Sequence, residues 1–199
     1  MARFYRLRDD IDFPCRWYLG HVRGMKLKSG DDWKFTTADG VAHLSALGED
    51  KFILDMNEFG PADGSAMDFT IAAHDVPIVS ATLKDALFFV DGLYYYAVAI
   101  PEKPSASPHY YAMATDNFID CFDERKSVFS IFTPDDPVRP DRAGDYHSVI
   151  KLIIDPAKAV GHDIFRIKRY PTALIVSERV KITLERGGFT GLDFRLCTE

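Results

Sequence analysis

The amino-acid sequence predicts an α+β fold of mostly antiparallel strands with a few short helices, arranged as two related strand–helix–strand units. Three observations predict it. The 199 residues include 15 phenylalanines and 9 tyrosines, and aromatic residues are favoured in sheets. Short β-type runs recur between turns rich in glycine, proline and aspartate. A segment from the middle of the chain, "PIVSATLKDAL", returns near the end as "LIVSERVKITL".

The length of the chain favours a single α+β domain over residues 1–199. Within it, residues 1–74 read as a strand-rich N-terminal part, and residues 75–199 form the part that contains both copies of the repeat. The strand candidates of the N-terminal part are "RFYRL", "RWYLG", "FILDM" and "MDFTIAAH". Turns or loops are predicted in "KSGDDWKF" and "GPADGSAMD".

The second part is more regular. "GLYYYAVAI" predicts a strand that ends at "PEKPSASP", because proline lacks the N–H that a sheet needs. The next strand candidates are "HYYAMA", "NFIDCFD" and "SVFSIF". A long loop follows, "TPDDPVRPDRAGDYH", and long loops in compact domains are often functional. The last quarter predicts a strand in "SVIKLIID", a helical turn in "PAKAVGHD" and a strand in "IFRI".

The two copies of the repeat share Ile-Val-Ser, a lysine and a final leucine. Isoleucine and valine favour the strand that leads in, since β-branched side chains are stiff. The serine, Ser80 or Ser177, can then accept a backbone N–H of the following helix and serve as its N-cap. A nucleophilic serine on a tight turn would need flanking glycines, and neither serine has them. We therefore predict that both serines are structural.

The sequence contains no local motif for catalysis, for a metal or for a cofactor. The six histidines are scattered, and Cys15, Cys121 and Cys197 are far apart, so neither residue type has metal-ligand spacing. No glycine-rich loop with a phosphate-reaching lysine follows a strand. We therefore predict that the protein uses no metal and no cofactor. The missing motifs do not by themselves exclude an enzyme, because catalytic triads need not be local in sequence.

The expected location is the cytoplasm. The start of the sequence has no apolar core of a signal peptide, and no run approaches the roughly 20 apolar residues of a membrane span. The three cysteines are an odd number and are predicted to be reduced thiols. Contact with a membrane is accordingly not predicted.

Acidic charge is concentrated in the middle of the chain. Residues 35–148 carry 7 basic and 19 acidic side chains, whereas residues 1–34 carry 8 and 5 and residues 149–199 carry 9 and 6. Since phosphate backbones bind basic surfaces, nucleic acid is not a predicted partner. A protein with a basic surface fits better. The alternative is that the carboxylates only keep the loops solvated.

Three stretches of the second part, "YYAMATDNFIDCFDERKS", "VIKLIIDPAKAVGHDIFRI" and "ALIVSERVKITLERGGFTGLDF", resemble the eleventh-numbered family of immunity proteins of bacterial polymorphic toxin systems. The resemblance covers about residues 75–199. The residues that match the family pattern are Asn117, Asp123, Ser127, Asp155, Phe165, Arg166, Val176, Ser177, Glu178, Thr190, Gly191, Leu192 and Phe194. The sequence departs from the pattern at Cys121 and Phe122, where the family has a small residue and a leucine.

The resemblance implies a cytoplasmic, non-enzymatic protein that binds and neutralises a cognate toxin. A carboxylate-rich loop could occupy a basic toxin surface through complementary charge. We therefore predict a partner-binding site of four loop carboxylates and one aromatic anchor, which are Asp135, Asp136, Asp141, Asp145 and Tyr146. The alternative for these residues is an ordinary acidic surface loop.

Two other functions stay open from the sequence. One is a small-molecule or nucleotide-handling enzyme whose site lies between the two strand–helix–strand units. The other is a structural protein that self-associates as a homo-oligomer through its aromatic strands. A pocket with convergent polar groups would favour the enzyme, and a concentration-dependent mass without another partner would favour the structural protein.

Overall fold

The computed structural model describes residues 2–26, 31–47, 52–57, 60, 64–103 and 109–198. The strands are β1 (Phe4–Asp9), β2 (Leu19–Gly24), β3 (Phe52–Met56), β4 (Phe69–Ala72), β5 (Val76–Ser80), β6 (Leu93–Ala99), β7 (Tyr110–Thr115), β8 (Phe118–Ile119), β9 (Val128–Ile131), β10 (Tyr146–Lys151), β11 (Ile164–Ile167), β12 (Tyr170–Ser177) and β13 (Leu192–Leu196). The α-helices are α1 (Ala38–Ala46), α2 (Ala81–Ala86) and α3 (Glu178–Arg186). The predicted α+β class is confirmed.

The strands form two large sheets and one ribbon. The first sheet has the order β2-β3-β6-β7-β5-β4 and is antiparallel except between β3 and β6. The second has the order β13-β1-β12-β11-β8 and is antiparallel except between β11 and β8. The strands β9 and β10 pair only with each other among the described strands. The predicted predominance of antiparallel pairing is confirmed.

The repeat in the sequence corresponds to a repeat in the structure. In the first unit, β4 pairs with β5, α2 follows, and the strand order is β6-β7-β5-β4. In the second unit, β11 pairs with β12, α3 follows, and the order is β13-β1-β12-β11. The N-terminal strand β1 therefore holds the position that β7 holds in the first unit. The N-terminal part of the chain supplies a central strand to the second unit.

The two repeated serines occupy equivalent positions. Ser80 accepts the N–H three residues later at 3.2 Å, and Ser177 accepts its counterpart at 3.3 Å. Each hydroxyl also donates to an aspartate on the preceding segment, Asp68 at 2.8 Å and Asp163 at 2.5 Å. Each serine N–H donates to the carbonyl of the same aspartate at 2.8 Å. The prediction of two N-caps is confirmed.

The two units share an apolar core. Leu83 of α2 packs in one cluster with Val180 and Leu184 of α3, and all three are at most 1% exposed. Phe69 and Val176, from the two sheets, complete its centre. Burying each of these side chains contributes about 1.5–3 kcal/mol. The junction between the units is therefore filled with apolar side chains.

The N-terminal part departs from the prediction at "KSGDDWKF". Its described residues, 31–35, lie in a 3₁₀ helix, Asp31–Thr36, and α1 begins two residues later. Thr37 caps α1 by accepting the N–H of Gly40 at 3.3 Å. The helix is short, so its two inward residues, Val41 and Leu44, give too little periodicity to distinguish it from a turn.

The stretch "NFIDCFD" departs from the predicted long strand. Only Phe118–Ile119 pairs in a sheet as β8. Cys121 and Phe122 are consecutive and both buried, so the alternation of a strand is lost there. Parts of "KSGDDWKF", "GPADGSAMD" and "PEKPSASP" lie outside the described residues.

Candidate functional site

The ribbon of β9 and β10 has one packed face and one solvent face. Phe129 and Val149 lie opposite each other and pack on the core beneath the ribbon. On the outer face, Val128 is 50% exposed and Ile150 is 84% exposed. The register shifts between Val149 and Lys151, which leaves Ile150 as the extra residue of a bulge. Bulges are common beside functional sites because they redirect a side chain.

The loop between β9 and β10 carries the predicted acidic residues. Asp136 accepts the N–H groups of Val138 and Arg139 at 3.0 and 2.7 Å, and these bonds hold the pKa of Asp136 below its ordinary value. Asp136 therefore orders the turn in which it lies. Asp135 is exposed and accepts none of the hydrogen bonds found in the described part of the chain.

Two arginines of the same loop neutralise two of its carboxylates. Arg139 donates to both oxygens of Asp141 at 3.0 and 2.8 Å, which lowers the pKa of Asp141. Arg142 donates to Asp145 at 3.1 Å. The four predicted aspartates thus lie on one loop, and two of them, Asp141 and Asp145, pair with arginines of the same loop.

Tyr146 lies beneath the loop. Only 3% of the residue is exposed, and its ring stacks on Phe122 with centroids 3.9 Å apart. Its hydroxyl donates to Glu124 at 2.6 Å. Burial, together with this bond, raises the pKa of Tyr146 above its ordinary value. The sequence predicts an aromatic anchor for the partner at Tyr146, and in the structure its ring packs beneath the loop.

Arg169 fastens the loop to the body of the protein and has no signal in the sequence. Its Nε donates to the carbonyl of Gly144 at 2.8 Å, and its terminal nitrogen donates to Glu124 at 3.1 Å. The guanidinium also lies over the ring of Tyr146, 4.5 Å from its centroid. Because Gly144 and Arg169 are 25 residues apart, no local pattern indicates this contact.

The residues that match the family pattern hold backbone turns. Asn117 donates to two carbonyl oxygens at 3.2 and 3.4 Å, and Asp123 accepts two N–H groups of the next turn. Ser127 donates to and accepts from one backbone residue at 3.1 and 3.0 Å. Asp155 caps the 3₁₀ turn after it, and buried Arg166 donates to two carbonyls. These five residues hold the local backbone in place.

The junction between the two units holds the apolar cluster described above. Ser80 and Ser177 bond aspartates and helix N–H groups, and neither hydroxyl bonds a histidine within the described part of the chain. Without an imidazole to remove its proton, a serine hydroxyl is a weak nucleophile.

Three side chains that are distant in sequence meet in the N-terminal part. His21 Nδ1 lies 2.7 Å from one oxygen of Asp32, and His74 Nε2 lies 3.4 Å from the other. The three candidate ligand atoms lie within 4.8 Å of one another, and within the described residues they are the only such group of histidine, cysteine and carboxylate side chains. The sequence analysis missed it because the residues come from three separate elements.

Comparison with known proteins gives one family. No curated protein matches the chain, and none of its described helices is long and apolar enough to cross a membrane. The family model described as "Immunity protein family (Imm11)" matches residues 52–199. The match includes both copies of the repeat and the whole β9–β10 ribbon. The chain belongs to this immunity protein family.

Proposed function

We propose that this protein neutralises a cognate toxin by binding it and covering its surface, and that the β9–β10 ribbon with its acidic loop makes the contact. Membership of the immunity protein family supports a non-enzymatic role of this kind. One observation carries the choice of surface. Val128, Ile131, Val138 and Ile150, all from the ribbon and its loop, are between 46% and 84% exposed. Exposed apolar groups beside charged ones are typical of protein interfaces.

The loop supplies charge beside these exposed apolar side chains. Asp135 is exposed and unengaged among the described residues, so its charge is available to a basic partner. Asp141 pairs with Arg139, and Asp145 pairs with Arg142. A basic side chain of the toxin can replace the arginine in either pair. We infer a toxin with a basic surface, and the acidic middle of the chain opposes binding to nucleic acid.

The loop is also prepared for binding. Arg169 holds Gly144, Tyr146 supports the same end of the loop, and Asp136 orders its first turn. A loop that is already ordered loses less conformational entropy when it meets a partner. This is the role that we propose for Tyr146 in the binding site. The protein would act in the cytoplasm, where it can meet the toxin before the toxin reaches its target.

Self-association is the second candidate, and a specific observation favours it. The outer edges of the two-stranded ribbon belong to no larger sheet among the described strands, and free edges can pair with a second copy. A dimer formed in this way would occupy the surface that we assign to the toxin. Mass measurement over a range of protein concentrations, with and without toxin, separates the two.

The test is protection of cells from the toxin encoded by the neighbouring open reading frame. Co-expression of this protein should restore growth, and Ile150→Asp should abolish protection by weakening binding about 30-fold or more, as expected for a central interface residue. The matched control is Ile11→Asp, because Ile11 is 63% exposed and lies in the turn after β1. Failure of the unmodified protein to protect would overturn the function. Equal protection by both variants would overturn the surface alone.

A further inference from the structure

The cluster of His21, Asp32 and His74 lies outside the proposed toxin-binding surface and has a geometry of its own. His21 is on β2, Asp32 is in the 3₁₀ helix that precedes α1, and His74 is in the 3₁₀ turn between β4 and β5. The two imidazole rings are tilted by 49° to each other, with centroids 5.6 Å apart. Three elements thus place two imidazole nitrogens and one carboxylate close together.

Asp32 is the buried member of the cluster. Its side chain is only 1% exposed, and one of its oxygens, Oδ1, makes no hydrogen bond in the described part of the chain. A buried carboxylate is costly unless it is paired or binds a metal. The unbonded oxygen is the one that faces His74, at 3.4 Å. A polar atom that is buried and aimed at the centre of a cluster indicates that a ligand belongs there.

His74 is held in an uncommon backbone conformation. Its φ is 56° and its ψ is 33°, and Asp75 after it has a φ of 58°. Non-glycine residues seldom adopt the left-handed region, and such residues cluster at functional sites. The buried guanidinium of Arg166 donates to the carbonyl of Asp75 at 2.9 Å and fixes the turn. The turn directs the imidazole of His74 towards Asp32.

We propose that His21, Asp32 and His74 bind a divalent transition-metal ion, with zinc as the best-fitting metal. Two imidazoles and one carboxylate suit zinc and its neighbours, whereas calcium and magnesium prefer a full set of oxygen ligands. Zinc bonds to nitrogen and oxygen are about 2.0–2.2 Å long, which places tetrahedral ligand atoms about 3.3 Å apart. The candidate atoms already lie within 4.8 Å of one another. Coordination would lengthen the 2.7 Å separation of His21 Nδ1 from Asp32 and shorten any separation above about 3.3 Å, which rotation of the two half-exposed imidazoles allows.

The site would keep a coordination position open. The side chains of His21 and His74 are 53% and 47% exposed, so a fourth ligand can approach from solvent. His21 also lines a cleft of about 670 Å³ together with Asp55 and Glu102. Three protein ligands and an accessible fourth position are the arrangement in which zinc binds a further ligand.

The site would connect residues before the family-matched segment to a residue within it. His21 and Asp32 precede the segment that matches the family model, whereas His74 lies within it. Because an unfolded chain does not hold the three ligands together, the binding energy of the ion adds to the stability of the folded state. Metal binding would therefore stabilise the packing of the 3₁₀ helix before α1 against β2 and the turn between β4 and β5. This inference is independent of the proposed toxin surface.

The test uses the full chain, stripped of metal, and Zn²⁺ alone as the probe. Titration calorimetry should give one equivalent of bound Zn²⁺, and thermal unfolding should shift upward with Zn²⁺. Cobalt should give the visible absorption of a site with nitrogen ligands. The variants His21→Gln and His74→Asn each remove one imidazole, and asparagine tolerates the left-handed backbone at position 74. The control is His109→Gln, an exposed histidine outside the cluster.

Each variant of the cluster should bind Zn²⁺ roughly a hundredfold more weakly or not at all, and the control should bind it like the unmodified protein. Loss of binding in both variants, with unfolding curves that are unchanged in the absence of metal, supports the site. The proposal is overturned if the unmodified protein binds no Zn²⁺. It is also overturned if both variants bind the ion as tightly as the control, since other residues would then hold it.

Discussion

Asp68 and Thr190 exchange hydrogen bonds across the junction of the two strand–helix–strand units. The N–H of Asp68 donates to the hydroxyl of Thr190 at 2.9 Å, and the N–H and hydroxyl of Thr190 donate to the carboxylate at 3.0 and 2.9 Å. The other carboxylate oxygen accepts the hydroxyl of Ser80, which caps α2. One carboxylate therefore connects the cap of the first unit to the loop that leads into β13 of the second.

The first prediction concerns this carboxylate. Asp68→Ala should lower the free energy of unfolding by about 1.5–3 kcal/mol at neutral pH, because hydrogen bonds to a charged group are lost and their donors are left unpaired. Urea denaturation measures the change. Asp85→Ala is the matched control, since the side chain of Asp85 is 72% exposed and pairs with its sequence neighbour Lys84. An equal effect of both changes would contradict the connecting role of Asp68.

The same carboxylate should make stability depend on pH. Burial acts to raise the pKa of Asp68, but the hydrogen bonds from Thr190 and Ser80 outweigh it and hold the pKa below its ordinary value. A lowered pKa in the folded state gives stability that is present above the unfolded pKa of about 3.9 and is lost as the pH falls towards the folded pKa. The difference in unfolding free energy between the unmodified protein and Asp68→Ala should therefore shrink below about pH 4. A difference in unfolding free energy that stays constant down to about pH 2 would contradict the lowered pKa of Asp68.

The second prediction concerns the two serine caps. Ser80→Ala and Ser177→Ala should each lower the free energy of unfolding by about 1 kcal/mol, since each helix loses its N-cap. Neither change should abolish protection against the toxin while the protein stays folded. Ser130→Ala, on the exposed ribbon strand β9, is the control for stability. If one serine variant is fully folded but does not protect, the structural role of that serine is wrong.

The repeat shows what local sequence can predict. Ile-Val-Ser followed by leucines four apart, as at Leu83 and Leu87, carries a strand, a cap and a helix in eleven residues, so both copies could be located. The position of β1 in the second sheet could not be predicted, because its pairing, as between Phe4 and Ser177, joins segments from opposite ends of the sequence. Strand pairing over such a distance leaves no periodic signal within either strand.

The candidate functional site likewise has features that the local sequence predicts and features that it does not. The acidic loop is visible in the sequence because its aspartates and prolines are contiguous, whereas the burial of Tyr146 depends on stacking with Phe122, 24 positions away. Arg139 and Arg142 stand between the predicted carboxylates and could have been weighed against them from the sequence. The cluster around Asp32 could not have been found in this way, since its three residues come from a strand, a 3₁₀ helix and a 3₁₀ turn that are far apart in sequence.

The third prediction concerns the fastening of the loop. Arg169→Met keeps the apolar stem but loses the bonds to Gly144 and Glu124. The loop should then exchange its amide hydrogens faster, and toxin affinity should fall about three- to tenfold, because the loop must be ordered on binding. Global stability should change by about 1 kcal/mol or less, since the arginine is partly exposed. Arg195→Met is the matched control, because Arg195 is an exposed arginine paired with Asp193 on β13.

The fourth prediction concerns the charge of the loop. Asp135→Asn should slow association with the toxin, and the association rate of the unmodified protein should fall by roughly tenfold or more from low to high salt, because screening removes long-range attraction. The dissociation rate should change less, since it depends on the apolar contacts of Val128 and Ile150. Surface plasmon resonance measures both rates, with Asp85→Asn as the control for a lost negative charge elsewhere. An association rate that is independent of both salt and Asp135 would contradict a role for charge attraction. The exposed apolar side chains of the ribbon would then be the contact.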